Sequence, residues 1–132
     1  MHFEYKMLAV MTLLFFFAWI PTSVGKFYSF GAKWLASNRN PPKDNKELLP
    51  WAARCERAYS NLKDFFPAYA VAILVLGAVG KFDETTQWAS GIFIIGRVMH
   101  YIFYGMGNVN MRFLSFVIAM GSNIVLFYKI FV

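Results

Sequence analysis

The chain reads as an all-α integral membrane protein, a bundle of four spanning helices. Two observations carry that reading. Hydrophobic residues make up 58% of the 132 residues and aromatics 20%, while charged residues are only 15%, against roughly 25% in a typical soluble domain. A soluble chain of this size could not hide so much apolar surface without exposing large patches. In addition, the apolar residues fall into stretches close to the ~20 residues that cross a bilayer as a helix. The length suits one domain.

The first stretch covers about residues 7–25 (MLAVMTLLFFFAWIPTSVG). Lys6, an apolar run and the small residues Ser23-Val24-Gly25 give it some look of a secretory signal. Pro21 and the long aromatic core favour a retained helix. The second stretch covers about 51–80, the third 86–105, and the fourth 113–132 (FLSFVIAMGSNIVLFYKIFV), which is the least interrupted. Residues 37–50 (SNRNPPKDNKELLP) form the one substantial polar loop, where Pro41-Pro42 forbids helix. Trp34, Trp51 and Trp88 are expected as interface anchors, and Pro67 as a kink in the second span.

Net charge is +6. Scattered basic residues beside apolar spans argue for membrane orientation rather than nucleic acid. Lys26, Lys33, Arg39, Lys43, Lys46, Arg54 and Arg57 crowd the first connection, whereas the second, Lys81 to Glu84, has one base and two acids. The first connection, with its loop 37–50, is therefore expected in the cytoplasm, with both termini on the opposite side. Cys55 is the single cysteine, which excludes a disulfide framework and a multi-cysteine zinc site; it is expected to pack. His100 has no second His or thiolate at ligand spacing, so no metal site is expected. Neither a Walker loop nor a Rossmann fingerprint is present. Arg54 and Lys63 suit snorkelling positions.

Two polar stripes interrupt the apolar pattern. Arg57, Asn61 and Asp64 stand at i, i+4, i+7, on one side of a helix. Arg97, His100, Tyr101 and Tyr104 stand at i, i+3, i+4, i+7, again on one side. Arg112 opens the fourth span. A charge at mid-membrane costs at least ~2.5–3.5 kcal/mol, so these stripes are expected to face each other or a neighbouring subunit around a wet cleft. Asp64 and Arg97 should lie close together or share a ligand. Cations, hydroxyls, an imidazole, an amide and one carboxylate suit an anionic or zwitterionic peptide-like molecule. The same groups could also serve as structural glue between helices.

The two stripes resemble the signatures of one family. Residues 57–67 (RAYSNLKDFFP) are similar to the R-A-x-x-N-x-x-E-x-x-P signature of the MAPEG family, the membrane-associated proteins in eicosanoid and glutathione metabolism. Residues 97–104 (RVMHYIFY) resemble its R-x-x-H/Y-x-x-x-Y pattern, and Arg112 stands where the family carries an arginine at the start of helix four. The likeness covers about residues 5–132. It implies a homotrimer of four-helix subunits, with glutathione as co-substrate bound between neighbours near the cytoplasmic side. Arg57, Asn61, Asp64, Arg97, His100 and Tyr104 would bind it, and Arg112, with Tyr104, would act on its thiol. Asp64 departs from the family's glutamate by one methylene. Phe113 and Phe116 stand where the prostaglandin E synthase branch has hydroxyl side chains, which argues against prostaglandin isomerisation. The resemblance implies a glutathione transferase or peroxidase acting on lipophilic electrophiles or lipid hydroperoxides. The alternatives are a non-catalytic membrane binding or assembly protein of the same fold and, less favoured, a small transporter subunit, which would call for a broken-helix pair. Short termini favour a bacterial inner membrane over endoplasmic reticulum.

Overall fold

The computed structural model describes residues 1–132, and every regular element is a helix, with no strand. Its elements are α1 (Phe3–Phe17), α2 (Ile20–Phe30), α3 (Ala32–Leu35), α4 (Pro50–Ala78), α5 (Glu84–Met106) and α6 (Val109–Phe131). The first span is longer than 7–25: α1 and α2 together form one apolar stretch, Phe3–Phe30. It is broken at Ala18–Trp19, where the Ala18 N–H bonds to the Phe15 carbonyl at 3.2 Å in a tightened turn. Pro21 explains the break: it lacks an N–H, and its ring crowds the carbonyl of Phe17. Downstream, α4 has Pro50 at its start, where a missing N–H costs nothing. It continues as one helix through Pro67.

Three stretches, Phe3–Phe30, Pro50–Ala78 and Val109–Phe131, are long and apolar enough to cross a membrane, so the chain is a membrane protein. The third expected span, α5, has 23 residues and so is about 35 Å long. Its length is sufficient, but its polar stripe lowers its hydropathy below that of the other three.

The connections from α4 to α5 and from α5 to α6 are short, and α5 and α6 begin with side-chain caps. Asp83 begins α5 with a capping box: its Oδ1 accepts from the Thr86 N–H at 2.9 Å, and Thr86 Oγ1 accepts from the Asp83 N–H at 2.8 Å. Gly107 ends α5 at φ 79°, a left-handed conformation that a side chain would strain. Asn108 then caps α6, its Oδ1 accepting from the Met111 N–H at 3.1 Å. These short turns fold α4, α5 and α6 back on one another as antiparallel neighbours.

At the core, the Tyr69 and Phe93 rings stack 4.1 Å apart and nearly parallel, with Met11, Ile73, Leu76 and Leu126 buried around them. The α5–α6 contact is closest at Gly96, where an added Cβ would lie 3.0 Å from Ala119 Cβ and 3.1 Å from the Ser115 carbonyl oxygen. Only 25 of 132 residues are buried; most apolar side chains face outward, which requires lipid or other copies of the chain as their surroundings.

One feature of the far end has no local sequence signal. Glu4 is wholly buried and accepts a 2.5 Å hydrogen bond from Thr86 Oγ1. Beside it, Lys129 pairs with Asp83 and Lys81 Nζ donates to the Ile130 carbonyl at 3.0 Å.

Candidate active site

The two polar stripes meet. Arg97, on the middle of α5, is 2% exposed, and its Nη2 donates to Asn61 Oδ1 on α4 at 2.9 Å. The guanidinium also lies 5.6 Å from the centre of the Phe65 ring. Its other nitrogens, Nε and Nη1, have no hydrogen-bond partner. A buried cation with two unused donors is costly unless an anion completes it.

One turn along α5, His100 is buried. Its ring meets that of Tyr104 edge-on at 5.5 Å and lies 5.9 Å from Phe116. Phe65 touches Phe116 edge-on at 5.4 Å, so these two rings form an apolar wall beside the arginine and the histidine. The Arg112 guanidinium lies 4.5 Å from the centre of the Tyr104 ring, within cation–π range. Arg112 is in the first turn of α6, after the Asn108 cap, so the helix dipole adds positive potential at that corner. Asn61, Arg97, His100, Tyr104 and Arg112 thus form one continuous line of contacts from mid-helix to the α5–α6 turn.

Arg57 and Asp64 lie on the same face of α4 as Asn61, but both are exposed. Asp64 makes no ion pair; the pairs present are Lys26–Glu56 and Lys129–Asp83. Arg97 therefore bonds to the amide of Asn61 rather than to the carboxylate, and any joint role with Asp64 requires a ligand spanning the two.

Other expectations resolve differently. Tyr101 leaves the polar line: its hydroxyl donates to the Ala18 carbonyl at 2.6 Å, tying α5 to the break between α1 and α2. Arg54 is more than an interfacial side chain, since its Nε donates to the Gly105 carbonyl at 2.9 Å near the end of α5. Lys63 rests 4.9 Å from the Tyr59 ring centre. Cys55 is buried, and a Cβ at Gly105 would lie 3.3 Å from its Sγ, as a packing residue requires. Phe65 and Phe116 were not foreseen as walls of the site; i, i+4 spacing from Asn61 and from Arg112 was the available signal.

In chemical terms the face offers three guanidiniums (Arg57, Arg97, Arg112), one carboxylate, one amide, one imidazole and one phenol. Such a set is chemically suited to an anionic or zwitterionic peptide-like molecule, with guanidiniums for its carboxylates and a carboxylate for its ammonium. No group of three or more His, Cys, Asp or Glu is placed to hold a metal.

Among known proteins, no curated sequence and no solved structure gives a significant match. The MAPEG family model matches residues 5–132, essentially the whole chain, and so takes in both stripes and Arg112. The chain belongs to the MAPEG family.

Proposed function

We propose that the chain is a membrane-bound glutathione transferase or peroxidase, working as a homotrimer of four-helix subunits with α5 as the third of the four spans. The observation that carries this is Arg97, a buried guanidinium with two donors unused. It stands in line with Asn61, His100, Tyr104 and Arg112. Glutathione is a zwitterion with two carboxylates, an ammonium and a thiol, and this face offers a counterpart to each. Arg97 and Arg57 take the carboxylates, Asp64 takes the ammonium, and Arg112 with Tyr104 receives the sulfur. Arg57 and Asp64 are exposed in the single chain, which fits a site closed by a neighbouring subunit.

The chemistry follows from the cation. A free thiol has a pKa of roughly 8.5, so little thiolate exists at neutral pH. A guanidinium stays charged and favours the sulfur anion. The proton leaves to solvent, and the thiolate attacks an electrophile dissolved in the bilayer, forming a C–S bond as the leaving group departs. With a hydroperoxide, the sulfur takes the terminal oxygen as the O–O bond breaks. A second glutathione then closes the cycle, giving the alcohol, water and glutathione disulfide. No covalent enzyme intermediate is required; proximity and thiolate formation supply the catalysis.

The basic residues of 26–57 set the orientation, with the first connection cytoplasmic and both termini opposite. The test is turnover of detergent-purified protein with glutathione and a generic aryl electrophile, beside a lipid hydroperoxide. Saturable turnover of either is expected. Saturable glutathione binding with no turnover of any electrophile would favour a binding or assembly protein, and absence of glutathione binding would overturn the proposal.

A further inference from the structure

A second polar cleft lies on another side of α4, between α2 and α4, with a volume of about 510 Å³. Its α4 lining includes Glu56 and Lys63, roughly a third of a turn around the helix from the Asn61 face. Three cations and one carboxylate line it: Lys26, Arg39, Lys63 and Glu56. Lys26 Nζ is paired with Glu56 at 2.5 Å, so that charge is already neutralised within the cleft. Arg39 and Lys63 have no anionic partner. Arg39 is held over the cleft by its own loop, with Nε donating to the Leu35 carbonyl at 3.2 Å and φ at 57°; this leaves both terminal nitrogens of its fork for a ligand. Ser60 on α4 adds an exposed hydroxyl to the lining. The cleft thus holds two spare positive charges and an accessible hydroxyl.

The geometry points to this cleft as a binding site for the phosphate of an anionic phospholipid. A guanidinium fork, an ammonium and a hydroxyl match a phosphate's several acceptor oxygens. The lipid, rather than a free phosphate, follows from what adjoins the cleft. Trp19 lines it at the α1–α2 break. One turn earlier, Phe16 is 64% exposed on the apolar length of α1, where acyl chains would lie once the headgroup is seated. The site does not depend on the glutathione reading, because none of its residues belongs to the Asn61–Arg112 line.

The test is native mass spectrometry of the full-length protein, delipidated in detergent and titrated with phosphatidylglycerol or phosphatidylcholine. Wild type should bind phosphatidylglycerol in preference, more weakly as salt is raised. The double variant Arg39→Gln/Lys63→Gln should lose about tenfold or more in that affinity, since two charge-assisted contacts go. Its glutathione binding and elution volume should be unchanged. Ser60→Ala should weaken the lipid by a smaller factor. Inorganic phosphate at millimolar concentration should not displace the lipid. Equal phosphatidylglycerol affinity in wild type and double variant would overturn the assignment, as would wild-type affinity insensitive to salt. Displacement by inorganic phosphate would assign the cleft to free phosphate instead. Competition between glutathione and lipid would make it part of the glutathione site. The salt dependence and the phosphate competition need only wild-type protein, so poor folding of a variant leaves the proposal open to refutation.

Discussion

At the scale of single residues, Arg97 separates a binding role from a structural one. A structural arginine would be satisfied within the chain, yet Arg97 spends one donor on Asn61 and leaves two unused. Removing an unsatisfied buried charge should not harm the ligand-free fold, because the desolvation cost goes with it. Arg97→Met is therefore expected to leave the melting temperature in detergent unchanged or raised. It should weaken glutathione binding by roughly 10- to 100-fold, the range for losing hydrogen bonds to a charged group, about 1.5–3 kcal/mol. A large fall in melting temperature with affinity intact would show that Arg97 is glue between α4 and α5. Tyr104 is weighed against Arg112 in the same way. Its ring supports the guanidinium at 4.5 Å, and Tyr104→Phe keeps that ring, so turnover should fall only a few-fold, as expected for one neutral hydrogen bond. A loss as large as that from removing Arg112 would make the phenol the principal thiol-activating group.

At the scale of elements, the caps of α5 set where its polar stripe sits. The hydrogen bond to Lys129, with the Thr86 N–H as a second donor, holds the Asp83 carboxyl below the usual carboxylate range. The folded state therefore prefers the ionised form. The resulting stabilisation is complete above the unfolded carboxyl's pKa of about 3.9 and is lost as pH falls through the lowered folded value. Asp83→Asn keeps a capping oxygen but removes the charge. Its melting temperature should lie below wild type at neutral pH, with the gap closing as pH falls below the unfolded value of about 3.9. A gap that persists undiminished into that range would place the effect in the cap geometry rather than in the charge.

Much at this scale was legible in the chain. The second, third and fourth stretches, read as 51–80, 86–105 and 113–132, match α4 (Pro50–Ala78), α5 (Glu84–Met106) and α6 (Val109–Phe131) to within a few residues. The reason is that apolar runs bounded by Pro, Asp and Gly-Asn signals state their own ends. The first stretch was read short because His2 to Lys6 looks polar. Burial of Glu4 against Thr86 hides that polarity, and a contact across 82 residues leaves no local trace. Periodicity placed Arg97 and Asn61 on facing stripes, and they do touch. It could not say that Tyr101 would turn aside to the Ala18 carbonyl, since that carbonyl is reached only where α1 breaks.

At the scale of the whole molecule, the single chain is incomplete as a membrane object. Arg57 and Asp64 are exposed on a spanning helix, a costly position if lipid surrounds them. On the proposed homotrimer, light scattering corrected for detergent should give the mass of three chains; a monomer that turns over glutathione would contradict closure of the site by a neighbour. The basic loop side gives a second expectation, that a tag at Val132 is reached only from the non-cytoplasmic face, and cytoplasmic labelling would defeat that topology. The central claim is that a guanidinium makes the thiolate, and ultraviolet difference absorbance of bound glutathione reads thiolate directly. Wild type should show the thiolate band at neutral pH. Arg112→Leu should lose it while eluting as the same oligomer, and Arg112→Lys should keep part of it, because charge matters more than shape here. An Arg112→Leu protein that elutes normally and shows the full band would contradict the account and leave Arg112 as an anchor of α6 at the membrane surface.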